Sequence, residues 1–222
     1  MTEAMRDWNQ LISDVVAGEW ADPETGKPAK VPFKTILLAD SLDGGAADVT
    51  APLRLGKRIA VVSDANTVEA MGRRVAKELK ALGAIDEIVM PGNMECDEPT
   101  IALVQDKTRH ADALIAVGSG ALSDTCKYAT FKDGRPYATF GTAASMNGYA
   151  ASTASVTLAN GYKTSLPAHA PNGIFLDLKV SAAAPTWLSA AVLGDCLCRT
   201  TAQINWSAPH RLFGTFYSTL PT

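Results

Sequence analysis

The sequence lacks any run of lysine or arginine, and its net charge is −3 over 222 residues. Nucleic-acid-binding proteins present a concentrated basic surface, so this class is disfavoured. Long apolar runs are also absent: the longest, such as 113–117, have the length of a strand and are too short to span a bilayer. The N-terminal residues MTEAMRDWNQ are polar and acidic, unlike a secretory signal. We therefore expect a cytoplasmic protein with no nucleic-acid partner and no membrane insertion.

Cysteine is scarce, with four residues in the chain, and none of them forms a C-x-x-C zinc pattern. The close pair is Cys196-x-Cys198. Two residues apart on a helix, these thiols point to different sides, which argues against a shared metal or a disulfide. Reduced thiols are expected, as is typical of the cytoplasm.

What the chain does contain is an alternation of strand-like and helix-like segments. The clearest helix is predicted over 67–82, with Asn66 as N-cap and Gly83 at the C′ position. A second begins after Asp97. The alternation predicts a Rossmann-like α/β fold with a mainly parallel sheet, and the continuous apolar strands indicate helices on both faces. The strand-like runs are 35–39, 58–63, 87–90, 113–117, 137–140, 153–159 and 174–177.

The remaining segments are predicted from their composition. Residues 162–171 look like a loop, and a long helix is predicted over 186–206 after Pro185, a natural first helical residue. No internal repeat or low-complexity tract is present.

A glycine-containing turn follows a buried strand at Gly118-Ser119-Gly120, and a helix opens behind it with Ala121 and Leu122. Glycine lets the backbone approach an anion, and the free N–H groups of a helix N-terminus hold phosphate. The same pattern also suits a tight strand-to-helix turn without a ligand, and a single G-x-G supports binding only weakly.

The acidic residue that grips a ribose in the standard Rossmann fingerprint follows the glycines by about 20 residues. Here the candidate, Asp64, precedes them by about fifty. Asp64 comes directly after a strand, where ribose hydroxyls can be bound, but an ordinary helix cap is the alternative.

Two further segments contain candidate site residues. Thr142, Ser145 and Asn147 follow another strand and predict a polar pocket, although composition alone indicates only a loop. Asp195 lies on the apolar side of the helix predicted over 186–206. A carboxylate facing a core is costly unless it is paired, for example with Arg199, or bound to a metal.

Taken together, these motifs resemble the sn-glycerol-1-phosphate dehydrogenase branch of the iron-containing alcohol dehydrogenase and dehydroquinate synthase-like superfamily. The similarity runs from about Ala60 onward and is carried by VGSGALSDTCKYAT (117–130), TAASMNGY (142–149), GYKTSLPAHAP (161–171) and AAVLGDCLCRTTA (190–202). The resemblance implies an α/β dinucleotide-binding domain over 1–180 and the incomplete beginning of a helical, metal-binding domain over 181–222.

The resemblance also implies an activity. Members transfer a hydride between NAD or NADP and a ketone at a divalent metal, zinc or iron, and this branch interconverts dihydroxyacetone phosphate and sn-glycerol 1-phosphate. A homo-oligomer is expected. The implied cofactor roles are pyrophosphate binding for Gly118, Ser119, Gly120, Ala121 and Leu122, adenine ribose binding for Asp64, and contact with the nicotinamide half for Thr142, Ser145 and Lys163. Asn147 and Asp195 would contact the substrate, and Asp195 would also bind the metal and take part in catalysis.

The sequence departs from the family pattern at Asn147, where related enzymes often have aspartate, and at Ala151, where a cofactor-contacting serine is expected. None of the three histidines, His110, His169 and His210, matches the later metal ligands of the family. We therefore expect a fragment that does not close its metal site. Two alternatives stay open: a non-catalytic nucleotide-binding module stabilised by oligomerisation, and a cyclase like dehydroquinate synthase.

Overall fold

A computed structural model describes residues 8–21, 26–28 and 31–217. They fall into two compact units, one of residues 32–184 and one formed by the described residues before 32 and after 184. The functional division expected at residue 180 stays a prediction. Of the helices in this part of the chain, none is long and apolar enough to cross a membrane.

The unit of residues 32–184 contains eight strands: β1 (Thr35–Ala39), β2 (Arg58–Asp64), β3 (Ala84–Met90), β4 (Ala113–Gly118), β5 (Tyr137–Gly141), β6 (Thr153–Thr157), β7 (Lys163–Pro167) and β8 (Gly173–Asp177). Six of them form a sheet in the order β1-β8-β5-β4-β2-β3, and all five strand pairings are parallel. A separate antiparallel hairpin is formed by β6 and β7. The predicted α/β fold with a mainly parallel sheet is confirmed.

Helices connect these strands, together with a π-helical turn at Val68–Gly72 and 3-10 turns at Ala51–Leu53 and Gly148–Ala150. Asp97 caps the helix of Glu98–Thr108 by accepting a hydrogen bond from the Thr100 N–H, as expected for a helix with proline in its first turn. The helices are α1 (Trp8–Ala17), α2 (Ala46–Thr50), α3 (Arg73–Leu79), α4 (Glu98–Thr108), α5 (Gly120–Asp133), α6 (Leu178–Ala183), α7 (Thr186–Leu197) and α8 (Arg199–Phe213).

The sheet is covered on both faces because successive side chains of a strand point to opposite sides. Ile59 and Val61 of β2 belong to one buried cluster with α2 and α3, whereas Ala60 and Val62 belong to a second cluster with α4 and α5. All four are at most 1% exposed. This two-sided burial explains why the central strands read as continuous apolar runs.

The strands stay parallel, but the side on which each next strand is added to the sheet changes between β2 and β4. From β2 the chain moves to β3 on one side, and from β4 it moves to β5 on the other, so β2 and β4 flank a topological switch point. The loops that leave two such strands diverge and open a crevice at the carboxyl edge of the sheet, where ligands of open α/β folds bind.

The helix predicted over 67–82 is shorter and irregular in the structure. It begins as a π-helical turn, in which Gly72 N–H donates to Thr67 O, and becomes α-helical only over α3. Asn66 does not cap it and instead donates to Gly92 O. Gly83 does not take the left-handed C′ conformation; a Cβ there would lie 2.3 Å from Lys57 O, so close backbone approach is what requires glycine.

Two other predictions are wrong in detail. Residues 163–167 were expected within a loop but form β7. Their backbone groups make hydrogen bonds with β6 in an antiparallel pair. The helix predicted over 186–206 is two helices, α7 and α8, which meet at Cys198.

The second unit contains α1, α7 and α8. Residues 214–217 fold back along α8: Trp206 Nε1 donates to Phe216 O at 3.0 Å, and the Trp206 and Tyr217 rings meet edge to face with centroids 5.1 Å apart. None of the residues of α7 and α8 is buried. Cys196 and Cys198 are free thiols, as are Cys96 and Cys126.

Candidate functional site

The carboxyl ends of three neighbouring strands bring the predicted site residues of the α/β unit to one edge of the sheet. Asp64 ends β2, Gly118 ends β4, and Thr142 follows Gly141 at the end of β5. These strands are adjacent in the order β2-β4-β5, and Gly118 lies directly opposite Gly141 in the register. The sheet therefore assembles segments that are far apart in the sequence.

The glycine turn between β4 and α5 leaves a helix N-terminus open. Ser119 is extended and its side chain makes no capping hydrogen bond to α5, a helix of 14 residues. Gly120 has a φ of +49°, and a Cβ built there would meet nothing within 4 Å. The first N–H groups of a helix have no intrahelical partner and carry the positive end of its dipole. This turn therefore fits a phosphate group.

Gly118 and Leu122 have a different role in the same turn. A Cβ on Gly118 would lie 2.3 Å from the Leu122 Cδ2 atom, and the Leu122 side chain is 1% exposed. The leucine side chain thus belongs to the core, and only its backbone N–H remains for a bound anion. The absence of a side chain at Gly118 lets α5 start this close to β4.

Asp64 uses one of its two carboxylate oxygens within the protein. Oδ1 accepts hydrogen bonds from Asn66 N–H and Thr67 N–H, both at 2.8 Å. Oδ2 accepts none from the described residues. These hydrogen bonds shape the turn before the π-helical turn, whose N-cap is Thr67, and they leave one oxygen at the switch point for a ribose hydroxyl.

The segment after β5 contains polar groups in contrasting surroundings. Thr142 is 5% exposed, and Asn147 is exposed. The Ser145 Oγ atom is buried close to the Tyr149 hydroxyl, but no described group meets it in good hydrogen-bond geometry. Because buried polar groups are nearly always paired, this hydroxyl is a candidate for a ligand contact.

Tyr149 is a site residue that the sequence analysis quoted but did not use. Its hydroxyl lies 3.0 Å from Ala143 O and 3.3 Å from Gly118 O, both of which can accept its proton. Burial raises the pKa of Tyr149 to about 12, so the hydroxyl stays protonated. A Cβ on Gly141 would lie 2.5 Å from Leu176 Cδ2 and 2.9 Å from the Tyr149 ring, so both side chains require the glycine at the end of β5.

Lys127 and Asp124 form a second group that the sequence analysis missed. Lys127 is fully buried, and its ammonium donates to Asp124 Oδ1, Gly148 O and Thr153 O, each at 3.1 Å. The other oxygen of Asp124 accepts from Ser155 N–H at 3.0 Å. The available signal was the spacing of three residues between opposite charges on one helix.

A pocket of about 440 Å³ lies beside the N-terminus of α5, within the size range of small-molecule sites. It contains Lys163, the residue expected near the nicotinamide end. Burial raises the pKa of the Cys96 thiol in its wall to about 11, so this thiol is protonated and unreactive at neutral pH. The pocket is lined by Met94, Glu95, Cys96, Gly120, Ala121, Asp124, Ser155, Thr157, Gly161 and Lys163.

The residues of the described chain do not fit a resident metal ion. No group of three or more histidine, cysteine, aspartate or glutamate residues is close enough to hold one in residues 8–21, 26–28 and 31–217. Asp195 was expected to face a core. In the structure it lies on α7, which has no buried residue, and it is partly exposed. The expectation that Asp195 is a metal ligand stays a prediction.

Comparison with known proteins gives a consistent result. Residues 39–185 match the family described as iron-containing alcohol dehydrogenase. A glycerol-1-phosphate dehydrogenase (NAD(P)+) of Bacillus velezensis is 35% identical over 164 residues, which are 71% of this chain and 41% of the relative. One of Thermococcus kodakarensis is 31% identical over 185 residues, 83% of this chain and 52% of the relative. The chain spans about half the length of the curated relatives it matches.

Solved structures show the same fold. A glycerol dehydrogenase of Schizosaccharomyces pombe superposes with a TM-score of 0.63 at 19% identity, covering 76% of this chain and 44% of that one. An iron-containing alcohol dehydrogenase of Thermotoga maritima superposes with a TM-score of 0.62 at 16% identity, covering 73% and 51%. At these identities the likeness concerns the fold alone.

Proposed function

Because this chain belongs to the iron-containing alcohol dehydrogenase family, we propose that it binds NAD(H) across the carboxyl edge of its sheet for hydride transfer with a polyol phosphate. The resemblance inferred from the motifs is confirmed at the level of the family. The names of the curated relatives point to sn-glycerol 1-phosphate and its ketone, dihydroxyacetone phosphate, as the substrate pair.

The glycine turn at the switch point is the observation that carries the proposal. A pyrophosphate at Gly118, Ser119 and Gly120 would accept hydrogen bonds from the open N-terminus of α5. The adenine ribose would then lie toward β2, where Asp64 Oδ2 can accept from a hydroxyl. The nicotinamide half would extend the other way, toward Thr142 and Ser145 after β5. Lys163 lies in the pocket beside the N-terminus of α5, whose wall also includes residues 94–96 after β3.

When bound, a reduced nicotinamide would supply the hydride for reduction of the ketone, and the accompanying proton would come from solvent. The residues of this chain would orient the reacting ring. The unpaired Ser145 hydroxyl is suited to the nicotinamide half, and Asn147, as an amide that donates and accepts, to a substrate hydroxyl.

The metal that the family name implies is not part of this proposal for the described residues, because they assemble no ligand cluster. The absence of a ligand cluster among the described residues also supports a second candidate function, a non-catalytic nucleotide-binding module that binds phosphate at the same glycine turn. A cyclase like dehydroquinate synthase is disfavoured, since the curated relatives are dehydrogenases.

We further propose that the protein is a cytoplasmic homo-oligomer. Its four cysteines are free, as in a reducing compartment. Trp187, Leu197 and Phe213 of the helical unit are 67%, 68% and 79% exposed, and self-association would remove such apolar surface from water.

The nucleotide site can be tested by comparing two glycines of one helix. Gly120 opens α5 and Gly134 ends it; both have a positive φ, and a Cβ at either would enter open space. Gly120→Ala and Gly134→Ala should therefore carry a similar backbone strain. We expect Gly120→Ala to raise the Kd for NADH, measured by fluorescence titration, about tenfold or more, because the added β-carbon would occupy the space of the phosphate and move it away from the N–H groups.

Gly134→Ala is the matched control and should bind NADH like the unmodified chain. Thermal melting should show comparable stability for the two variants, since both place a β-carbon at positive φ. Equal NADH affinity in the two variants would reject the glycine turn as the phosphate site.

A further inference from the structure

Residues 142–153, the β5–β6 segment, are tied to the helix of the glycine turn by a fully buried ammonium. Lys127 has three donor hydrogens, and the three acceptors described above, one on Asp124 and two backbone carbonyls, use all of them. Gly148 and Thr153, which supply the carbonyls, both lie in this segment. The ammonium therefore fixes the segment against α5 at two places.

The beginning of the segment, at Ala143, is held by the Tyr149 hydroxyl. Its hydroxyl lies between the carbonyl of Ala143, within the segment, and that of Gly118, in the glycine turn. The side chain is 7% exposed. Lys127 thus ties the β5–β6 segment to α5, and Tyr149 ties it to the glycine turn; these two elements form the proposed phosphate site.

Burying an ammonium is an expensive way to pack a loop. Removing Lys127 from water has a large desolvation cost, and apolar side chains of similar volume often stabilise a fold equally well or better. Buried ionic groups are better at specifying one geometry, because their hydrogen bonds are directional and leave costly unpaired groups when the geometry changes. The arrangement is therefore suited to precise placement of the β5–β6 segment.

We propose that Lys127 and Tyr149 are positioning residues, which hold the β5–β6 segment in its ligand-binding position before the nucleotide arrives. This inference rests on the proposed function, in which the segment receives the nicotinamide half. Preorganisation lowers the entropy that binding must remove. Loosening the segment should consequently weaken binding of the nicotinamide half and spare the adenosine and pyrophosphate, which contact β2 and the glycine turn.

The experiment compares NADH with ADP-ribose, which lacks nicotinamide, by calorimetric titration of the full 222-residue chain. We expect Lys127→Met to raise the Kd for NADH about tenfold, the size expected for hydrogen bonds to a charged group. Tyr149→Phe should raise it about threefold, as for a neutral hydrogen bond. The Kd for ADP-ribose should change less than about twofold in both, in keeping with contacts that stay intact.

Lys132→Met is the matched control, because this lysine lies on the same helix but is exposed, and it should change neither Kd. If Lys127→Met does not fold, as judged by circular dichroism, Asp124→Asn and Tyr149→Phe carry the test with the same expected difference between ligands.

Three results would overturn the inference. Equal losses for NADH and ADP-ribose would indicate general destabilisation, and unchanged NADH affinity in a folded variant would show that the anchors do not position the segment. If the unmodified chain bound neither ligand, the proposed function would fail together with the inference, whereas the first two results leave nucleotide binding intact.

Discussion

Asp64 divides its carboxylate between the fold and the proposed ligand. One oxygen accepts the N–H groups of Asn66 and Thr67 and so shapes the turn after β2. The other accepts no hydrogen bond from the described residues and carries negative charge at the switch point. A carboxylate in this place favours a ribose with free hydroxyls and repels the 2′-phosphate of NADP.

We therefore expect Asp64→Asn to shift the nucleotide preference toward NADPH. The amide oxygen can keep the hydrogen bonds of the turn, while the repulsion of the phosphate disappears. The ratio of the Kd for NADPH to the Kd for NADH should fall about tenfold, as for the loss of one charge–charge repulsion near a protein surface. Fluorescence titration with both nucleotides measures this ratio.

Asp112→Asn provides the comparison for that experiment. Asp112 also accepts two backbone N–H groups, from Lys57 and Arg58, but it precedes β4 and so lies at the amino edge of the sheet. Its replacement should leave the ratio unchanged. An unchanged ratio in Asp64→Asn as well would place the ribose elsewhere.

Among the elements of the α/β unit, β8 ends in a buried carboxylate that joins four segments. Asp177 is 0% exposed; Oδ2 accepts from Leu42 N–H and from Arg74, and Oδ1 accepts from Val180 N–H at the start of α6. Burial opposes its ionisation, but these hydrogen bonds and the charge of Arg74 together lower the pKa of Asp177 below its ordinary value of 3.8.

The consequence is a pH-dependent contribution to stability. Since the folded-state pKa is lowered, the contribution is fully present above the unfolded-state value and is lost as the pH falls through the folded-state value. Asp177→Asn should reduce the free energy of unfolding by about 2 kcal/mol at neutral pH, the size of a lost charged hydrogen-bond network. The difference from the unmodified chain should shrink below about pH 4.

Urea unfolding at neutral and acidic pH tests this prediction. Asp43→Asn is the control, since Asp43 also contacts Arg74 but is 69% exposed and should contribute little. A difference between Asp177→Asn and the unmodified chain that persists undiminished in acid would contradict the assignment of the pH dependence to this carboxylate.

For the whole molecule, the question is whether the chain by itself performs metal-dependent chemistry. A zinc or iron site needs several nitrogen, oxygen or sulfur ligands in fixed geometry, and the described residues assemble no such cluster. We expect the 222-residue chain, dialysed after loading with zinc or ferrous iron, to retain less than one metal ion per chain by elemental analysis.

The same preparation should show no metal-stimulated oxidation of NADH with dihydroxyacetone phosphate, measured beside a full-length curated relative. If the chain does retain metal, the Asp195→Asn variant tests whether Asp195 binds it. Stoichiometric metal that is lost in this variant would make Asp195 a ligand, and would reject the non-catalytic module as the second candidate.

The sequence alone determined the class of the fold and most of its elements. Continuous apolar runs such as 113–117 are buried on both faces of a parallel sheet, and this requirement is local enough to be recognised without coordinates. The glycine turn at 118–120 was recognisable for the same reason, because a strand, two glycines and a helix follow one another directly in the chain.

The tertiary structure decided everything that depends on partners distant in sequence. Residues 163–167 became a strand because β6 was available to pair, and Gly83 is glycine because of Lys57 O. The burial of Lys127 also depends on carbonyls 21 and 26 residues away. A charged side chain is ordinarily read as exposed, and only the assembled acceptors make its burial favourable, so no local pattern reveals it.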